Sequence, residues 1–214
     1  MKVLIFASSL LLAISFTSCK EEKKPGANNT TTTGEFFPDT ARANIQNRPN
    51  VYPGVDVSPM DMSYFPVDYP KIKMTNSNIP PPVMRVIYSR PHLQKRHLFR
   101  DLLKYDEPWR LGANESSEIQ FFKPVKIQGK TIAAGRYIIY CIPHTDSWTI
   151  VLNSNIDTWG LQQDASKDVQ RFVVPEDHAE QSQEYFTMEF EKAEKGANLV
   201  ISWDNFLVRL PIEF

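Results

Sequence analysis

Near the C-terminus the chain reads LVISW-DN-FLVRLPI (residues 199–212), two apolar runs on either side of Asp204-Asn205. Alternation with a period of two is typical of a strand that buries one face. Asp and Asn tolerate positive φ, so the pattern predicts a two-residue turn that closes a hairpin. The facing pairs would then all be apolar: Trp203 with Phe206, Ile201 with Val208, and Leu199 with Leu210. A shift by one residue would turn this apolar set towards water, so the register is well defined.

Upstream, from residue 71, the same pattern of short apolar runs between turn residues predicts further strands. These are Lys71–Thr75, Val83–Tyr88, Ser117–Phe122, Val125–Ile127, Arg136–Ile142, Trp148–Leu152, Val169–Val174 and Tyr185–Phe190. Gln128-Gly129 predicts a tight turn that places Val125 opposite Ile132, and His97–Leu103 is the one predicted helix. About nine short strands and one short helix predict an all-β fold, an antiparallel β-sandwich, with a closed β-barrel as the alternative.

The N-terminus begins with Met1-Lys2, continues with the uncharged apolar run Val3–Phe16, and ends in Thr17-Ser18-Cys19. Such a run is too short for a transmembrane helix, which needs roughly 20 residues. The order of a positive start, an apolar core and small residues is typical of a secretory signal peptide, here residues 1–18. Its end resembles the bacterial lipobox. The resemblance implies cleavage before Cys19, lipid attachment to Cys19 by acyl chains such as palmitate, and anchoring to a membrane.

The residues that follow predict how the domain is held. No Asp follows Cys19, and Cys19-Lys20-Glu21-Glu22 resembles the surface-export signal of Bacteroidetes lipoproteins, which implies the outer membrane, on its periplasmic face or at the cell surface. Residues 19–50 are polar and repetitive, as in a disordered tether. Residues 51–70 are rich in Pro and aromatic side chains and are expected to lie extended against the domain, which spans 71–214.

Composition excludes several classes of function. Lys and Arg number 24 and Asp and Glu 25, with a formal net charge of −1, so nothing indicates a nucleic-acid partner. With Cys19 acylated, Cys141 is the only remaining thiol, and its apolar run indicates a buried core residue rather than a nucleophile. The His and Cys residues show no zinc-ligand spacing. His92 and His97 are five residues apart, do not share a helical face, and are expected at the surface, so we expect no metal and no cofactor.

Two segments carry the residues best suited to a binding site, Tyr88–Pro91 and Trp109–Glu115. Arg presents a planar fork to a carboxylate or phosphate, Trp a flat face, and Asn and Glu directional hydrogen bonds. The candidate ligand-binding residues are Arg90, Trp109, Arg110, Asn114 and Glu115. The alternative is structural: Arg90 and Arg110 pair with Glu115 or Asp101 to hold the loop, while Trp109 fills the core.

Several motifs together resemble one family, the domain of unknown function 2911. They are Tyr88-Ser89-Arg90-Pro91, Leu98-Phe99, the run Pro108–Glu115 (PWRLGANE), Ala134–Tyr137 (AGRY), Ile142-Pro143 and the strand of Trp148. The resemblance runs from about residue 60 to the C-terminus. It implies an exported, often lipid-anchored protein, found largely in Bacteroidetes and related bacteria, and carries no established activity.

Two functions remain open at this point. The first is a non-enzymatic binding or interaction module for a small polar or anionic ligand or a glycan. The second is a hydrolase of glycan or envelope material, in which Glu115 and a second carboxylate supply the acid and base. The candidates for that second carboxylate are Asp101, Asp106, Glu107 and Glu118. No Gly-x-Ser-x-Gly or His-Glu-x-x-His motif is present.

Overall fold

The computed structural model describes residues 58–214. The predicted signal peptide, Cys19 and the tether lie outside these residues, as do positions 51–57 of the Pro- and aromatic-rich segment. The elements are β1 (Met60–Phe65), α1 (Tyr69–Thr75), β2 (Met84–Ser89), a π-helical turn (Leu98–Leu102), β3 (Glu118–Phe121), β4 (Val125–Ile127), β5 (Lys130–Ile132), β6 (Gly135–Pro143), β7 (Ser147–Asn153), a 3₁₀ turn (Ala165–Lys167), β8 (Asp168–Ala193) and β9 (Gly196–Glu213).

The strands form one open antiparallel sheet in the order β1-β2-β3-β6-β7-β8-β9-β4-β5. The sheet folds over its own apolar face, so that Phe65 of β1 packs on Phe190 of β8 with ring centroids 6.5 Å apart. No strand ladder joins β1 to β8 within residues 58–214, where Ser63 Oγ donates instead to the Met188 carbonyl at 2.7 Å. The all-β, sandwich-like prediction is confirmed, and the closed barrel is not formed.

The predicted C-terminal hairpin is wrong. β9 runs without reversal through Asp204-Asn205 and pairs with β8 from Gly196 to Val208, with Met188 opposite Ile201 and Glu176 opposite Val208. Asp204 has φ 53°, and the register shifts beside it, so the predicted turn is an irregularity within one strand. A bulge at Asp204-Asn205 or a two-residue hairpin turn there would keep the apolar residues before and after it on the same face of the sheet. The apolar alternation therefore fits both. The bulge forms because β8 is long enough to pair with β9 on both sides of Asp204-Asn205.

Three further predictions differ from the structure. Lys71–Thr75 lies in α1 and not in a strand, with Pro70 in the first turn, where its missing N–H leaves no helical bond unmade. The predicted helix at His97–Leu103 is a π-helical turn, closed by Leu103 N–H donating to the Leu98 carbonyl at 2.8 Å. The predicted strands Val169–Val174 and Tyr185–Phe190 are both parts of β8.

Other local predictions are confirmed. Gln128 and Gly129 have φ of 47° and 75° and join β4 to β5, with Val125 opposite Ile132. β6 lies between β3 and β7, and its residues 138–141 are buried, as a central strand requires. Burial raises the pKa of the Cys141 thiol well above its ordinary value, so this residue is an inert part of the core. In the described part of the chain no helix is long and apolar enough to cross a membrane.

Candidate functional site

The Trp109–Glu115 loop is fastened to the ends of β2 and β3 by two buried serines. Ser89 Oγ accepts from Ala113 N–H at 2.6 Å and donates to the Ala113 carbonyl. Ser117 Oγ donates to the Leu111 carbonyl at 2.5 Å. A Cβ on Gly112 would press against both serine hydroxyls, so glycine allows the backbone to approach this closely. The hydroxyl groups of Ser89 and Ser117 therefore hold the loop by its backbone. The side chains of the loop are not needed for this, so some can point into the core and others into solvent.

Trp109 turns inwards and joins an aromatic cluster. Its backbone N–H donates to the Cys141 carbonyl at 2.7 Å, which adds one residue to the edge of β6. Its indole ring stacks on Trp203 at 5.6 Å and meets Phe186 edge-on at 4.8 Å. Indole Nε1 donates to the Gly112 carbonyl at 3.2 Å. Trp109 thus has the core-filling role of the structural alternative, while part of the ring still lines an open cavity.

Arg90 connects the end of β2 to β1 and β8, an arrangement called here the Arg90 clamp. Its Nη1 forms a salt bridge with Asp61 Oδ2 at 3.2 Å, Nη2 donates to Thr187 Oγ1 at 3.0 Å, and Nε donates to the Phe186 carbonyl at 3.1 Å. All three nitrogens are bonded to protein atoms. The structural prediction for Arg90 named the wrong partner, because Asp61 takes the place expected for Glu115 or Asp101.

Beside the Arg90 clamp a cavity of about 310 Å³ opens over Trp109; it is called here the arginine cavity. Its lining residues are Pro91, Arg96, Leu102, Leu103, Pro108, Trp109, Arg110, Gly112, Ala113, Gly160, Leu161 and Trp203. Arg96 is fixed at the rim by bonds from Nε to the Leu93 carbonyl at 2.8 Å and from Nη2 to the His92 carbonyl at 2.9 Å. Arg110 Nη1 donates to the Trp159 carbonyl at 3.2 Å. The lining residues include two arginines and no acidic residue.

Glu115 lines a different opening, called here the Trp159 cleft, with a volume of about 320 Å³. Its lining residues are Glu115, Ser116, Glu118, Asp157, Thr158 and Trp159. Arg136 bonds Glu118 at 2.8 Å and Asp157 at 3.0 Å along one wall. Asn114 is half-buried in the left-handed region at φ 61° and lines neither opening. The five candidate residues are therefore divided among the Arg90 clamp, the arginine cavity, the Trp159 cleft and the loop between them.

The possible partners of Glu115 in acid–base chemistry also separate. Asp101 accepts two bonds from Arg100, which together with the His97 N–H lowers the pKa of its carboxyl to about 2. Asp106 bonds His144 Nδ1 at 2.5 Å, and Glu107 bonds Lys104 at 3.3 Å. Glu118 is the member of the predicted set that shares a cleft with Glu115.

The two histidines considered for a metal do not share a site. His92 stacks on Tyr185 with centroids 5.3 Å apart, whereas His97 is exposed and lines an opening beside His178. Among residues 58–214, no three His, Cys, Asp or Glu side chains converge as a metal site would require.

Sequence reasoning did not identify Arg96, Asp61 or Trp159. A signal for Trp159 exists, because Trp159-Gly160 stands outside every predicted strand, where an aromatic residue has no core to fill. Gly160 has φ 76°, and a Cβ there would collide with Ser116 Oγ, so the glycine brings the loop onto the domain surface. Asp61 carries no such signal, because its partner Arg90 lies 29 positions away in sequence. Arg96 carries none either, because it lines the cavity with Trp109 and Trp203, which are distant in sequence.

Residues 71–212 match the family model described as "Protein of unknown function (DUF2911)". Comparison with curated proteins and with solved structures finds no match. The matched region includes the Arg90 residue of the clamp and all residues lining the arginine cavity and the Trp159 cleft. Because the match covers well over half of the chain, the protein belongs to the DUF2911 family.

Proposed function

We propose that the domain is a non-enzymatic binding module whose arginine cavity holds a small polar ligand that carries a carboxylate or a similar anionic group. The observation that carries this proposal is the composition of the lining, which has Arg96 and Arg110 and no acidic residue. A guanidinium group offers paired donors that match the two oxygens of a carboxylate. The Trp109 ring and Leu102 offer apolar surface for the rest of the ligand.

The arrangement around the cavity supports a preformed site. The bonds of Arg96 to two carbonyl groups, and of Arg110 to the Trp159 carbonyl, restrict both side chains before a ligand arrives. Restricting side chains in advance reduces the entropy lost on binding. The volume of about 310 Å³ suits a ligand of the size of a sugar acid.

The test is calorimetric titration with glucuronate and N-acetylneuraminate, with glucose as the uncharged comparison. We expect both acids to bind and glucose not to bind. Arg110→Gln, which keeps length and polarity but loses the charge, should weaken acid binding by about tenfold or more. The matched control is Arg209→Gln, since Arg209 is an exposed arginine that pairs with Asp177 and Glu191 away from the cavity. Equal binding by Arg110→Gln and the parent protein would exclude the proposal.

We also propose that Cys19 is acylated and that the domain is held at the outer membrane by this anchor. The support is the order of charged, apolar and small residues before Cys19 in the sequence. Labelled palmitate should be incorporated into the full chain and not into Cys19→Ala. Absence of label from the parent chain, or equal labelling of Cys19→Ala, would contradict the anchor.

A hydrolase remains the alternative proposal, and it is supported by the presence of Glu115 and Glu118 in the same cleft. A pair of carboxylates is the usual requirement for glycoside hydrolysis. Release of reducing ends from envelope glycans, abolished by Glu115→Gln, would favour this alternative over the binding module.

A further inference from the structure

We infer that the ligand is an acidic oligosaccharide, with its acidic sugar in the arginine cavity and a neighbouring uncharged sugar packed on the exposed ring of Trp159. This inference rests on the proposed function and extends it from a single group to a chain of at least two sugars. The two openings meet at one loop, because Trp159 lines the Trp159 cleft while Gly160 and Leu161 line the arginine cavity. A ligand extending from one opening to the other passes Trp159.

Trp159 differs from the other tryptophans of the described domain. Trp148 and Trp203 are buried, Trp109 is half-buried, and Trp159 is 52% exposed. Large apolar surface left in water beside a cavity is characteristic of a recognition surface. An indole ring offers a flat apolar face, on which the C–H face of a pyranose can pack while its hydroxyl groups point to polar neighbours.

The backbone at Trp159 is fixed in place, as a binding platform requires. Arg110 Nη1 holds the Trp159 carbonyl at 3.2 Å, and Gly160 packs closely on Ser116. Ser116 N–H donates to the Thr158 carbonyl at 3.4 Å, which ties the other side of the loop to the same serine. Arg110, which lines the arginine cavity, therefore also positions the backbone of Trp159, so the cavity and the Trp159 ring are held in a fixed relation to each other.

The chemistry of the Trp159 cleft selects an uncharged sugar. Carboxylates at Glu115, Glu118 and Asp157 accept hydrogen bonds from hydroxyl groups and repel a second anionic group. Ser116 and Thr158 add hydroxyl groups that can accept or donate. Arg136 bonds Glu118 and Asp157, which orients both carboxylates along the wall. An acidic sugar joined to a neutral one matches the positive cavity and the negative cleft together.

The test uses a hyaluronan tetrasaccharide, in which glucuronate alternates with N-acetylglucosamine, beside glucuronate alone and neutral chitobiose. We expect the parent protein to bind the tetrasaccharide more tightly than glucuronate and to bind chitobiose weakly. Trp159→Ala should weaken tetrasaccharide binding by roughly tenfold, equivalent to about 1.4 kcal/mol. The same variant should leave glucuronate binding within about twofold, and Trp159→Phe should retain most of the tetrasaccharide affinity.

The control is Met74→Ala, which removes an apolar side chain that is 87% exposed on α1 and lines neither opening. It should bind all three probes as the parent protein does. Glucuronate binding with no effect of Trp159→Ala on the tetrasaccharide would overturn the platform and leave the proposed cavity intact. Absence of glucuronate binding would overturn the cavity and, with it, this inference.

Discussion

The Arg90 clamp and the arginine cavity lie beside each other, and their arginines bond different kinds of partner. In the clamp, Arg90 bonds a carboxylate, a hydroxyl group and a carbonyl group from two other strands, so its donors are consumed in joining β2 to β1 and β8. In the cavity, Arg96 bonds carbonyl groups of its own loop and no acidic residue lines the opening. The position of the carboxylates therefore distinguishes a structural arginine from one suited to an anionic ligand.

Phe186 connects the two regions, and its removal should have the largest effect. The ring is fully buried and packs edge-on against Tyr88 at 5.6 Å and against Trp109 at 4.8 Å. Phe186→Ala should lower the free energy of unfolding by about 3–5 kcal/mol, because the cavity left behind cannot be refilled on both sides. Urea denaturation measures this change.

Phe186→Leu is the matched control, because it keeps most of the apolar volume and should lose less than about 1.5 kcal/mol. If Phe186→Ala unfolded at nearly the same urea concentration as the parent protein, the packing of Phe186 would not stabilise the two regions. Glucuronate binding by Phe186→Leu would show whether the cavity tolerates a smaller residue packed against Trp109.

Arg90→Ala tests the clamp alone. It removes a salt bridge and two further hydrogen bonds, but the side chain is 33% exposed, which screens the charge interaction. We expect a loss of about 1–2 kcal/mol in the free energy of unfolding and unchanged glucuronate binding. A double-mutant cycle with Asp61→Asn isolates the Arg90–Asp61 contribution.

The contrasting substitution is Arg209→Gln, whose arginine bonds Asp177 and Glu191 at an exposed position and should change stability by less than about 0.5 kcal/mol. If Arg90→Ala abolished glucuronate binding while leaving stability unchanged, Arg90 would belong to the ligand site and the distinction between the two regions would fail.

Local patterns predicted the strands well, because burial on one face imposes a period of two that any antiparallel partner preserves. Met188 and Phe190 are buried with Phe186 for this reason. The C-terminal stretch shows the limit: a change of face at Asp204-Asn205 fits a turn or a bulge equally. The choice depends on β8, and on Ser182 Oγ and Leu98 N–H, which donate to the Asp204 carboxylate at 2.9 and 3.3 Å.

The sequence predicted most of the residues at the candidate site, but not which of them lie together. Trp109 and Arg110 line one cavity as neighbours in sequence, whereas Glu115 faces another opening only five residues later because Leu111 and Asn114 have positive φ. Arg96 reaches the cavity from a separate loop, and no spacing relates it to Arg110. Contacts between segments that are distant in sequence, such as Arg90 with Asp61, leave no periodic trace for a sequence pattern to reveal.

The smallest predicted effect concerns Tyr88, whose hydroxyl donates to Asp61 Oδ2 of the Arg90 clamp at 3.4 Å. Burial raises the pKa of Tyr88 to about 12 from the ordinary value of 10.0, with a smaller contribution from the nearby Asp61 charge. Because the unfolded phenol ionises first, the stability due to neutral Tyr88 is complete below pH 10 and is lost as the pH rises towards 12.

Tyr88→Phe should therefore make alkaline destabilisation between pH 10 and 12 smaller by on the order of 1 kcal/mol. The comparison is Tyr140→Phe, since burial also raises the pKa of Tyr140 to about 12 and its hydroxyl donates to Asp168 at 2.9 Å, outside both regions. Both variants should reduce the alkaline slope, but only Tyr88→Phe should also alter the Arg90–Asp61 coupling measured in the double-mutant cycle. An Arg90–Asp61 coupling that is the same with and without the Tyr88 hydroxyl would confine the clamp to the arginine and its three partners.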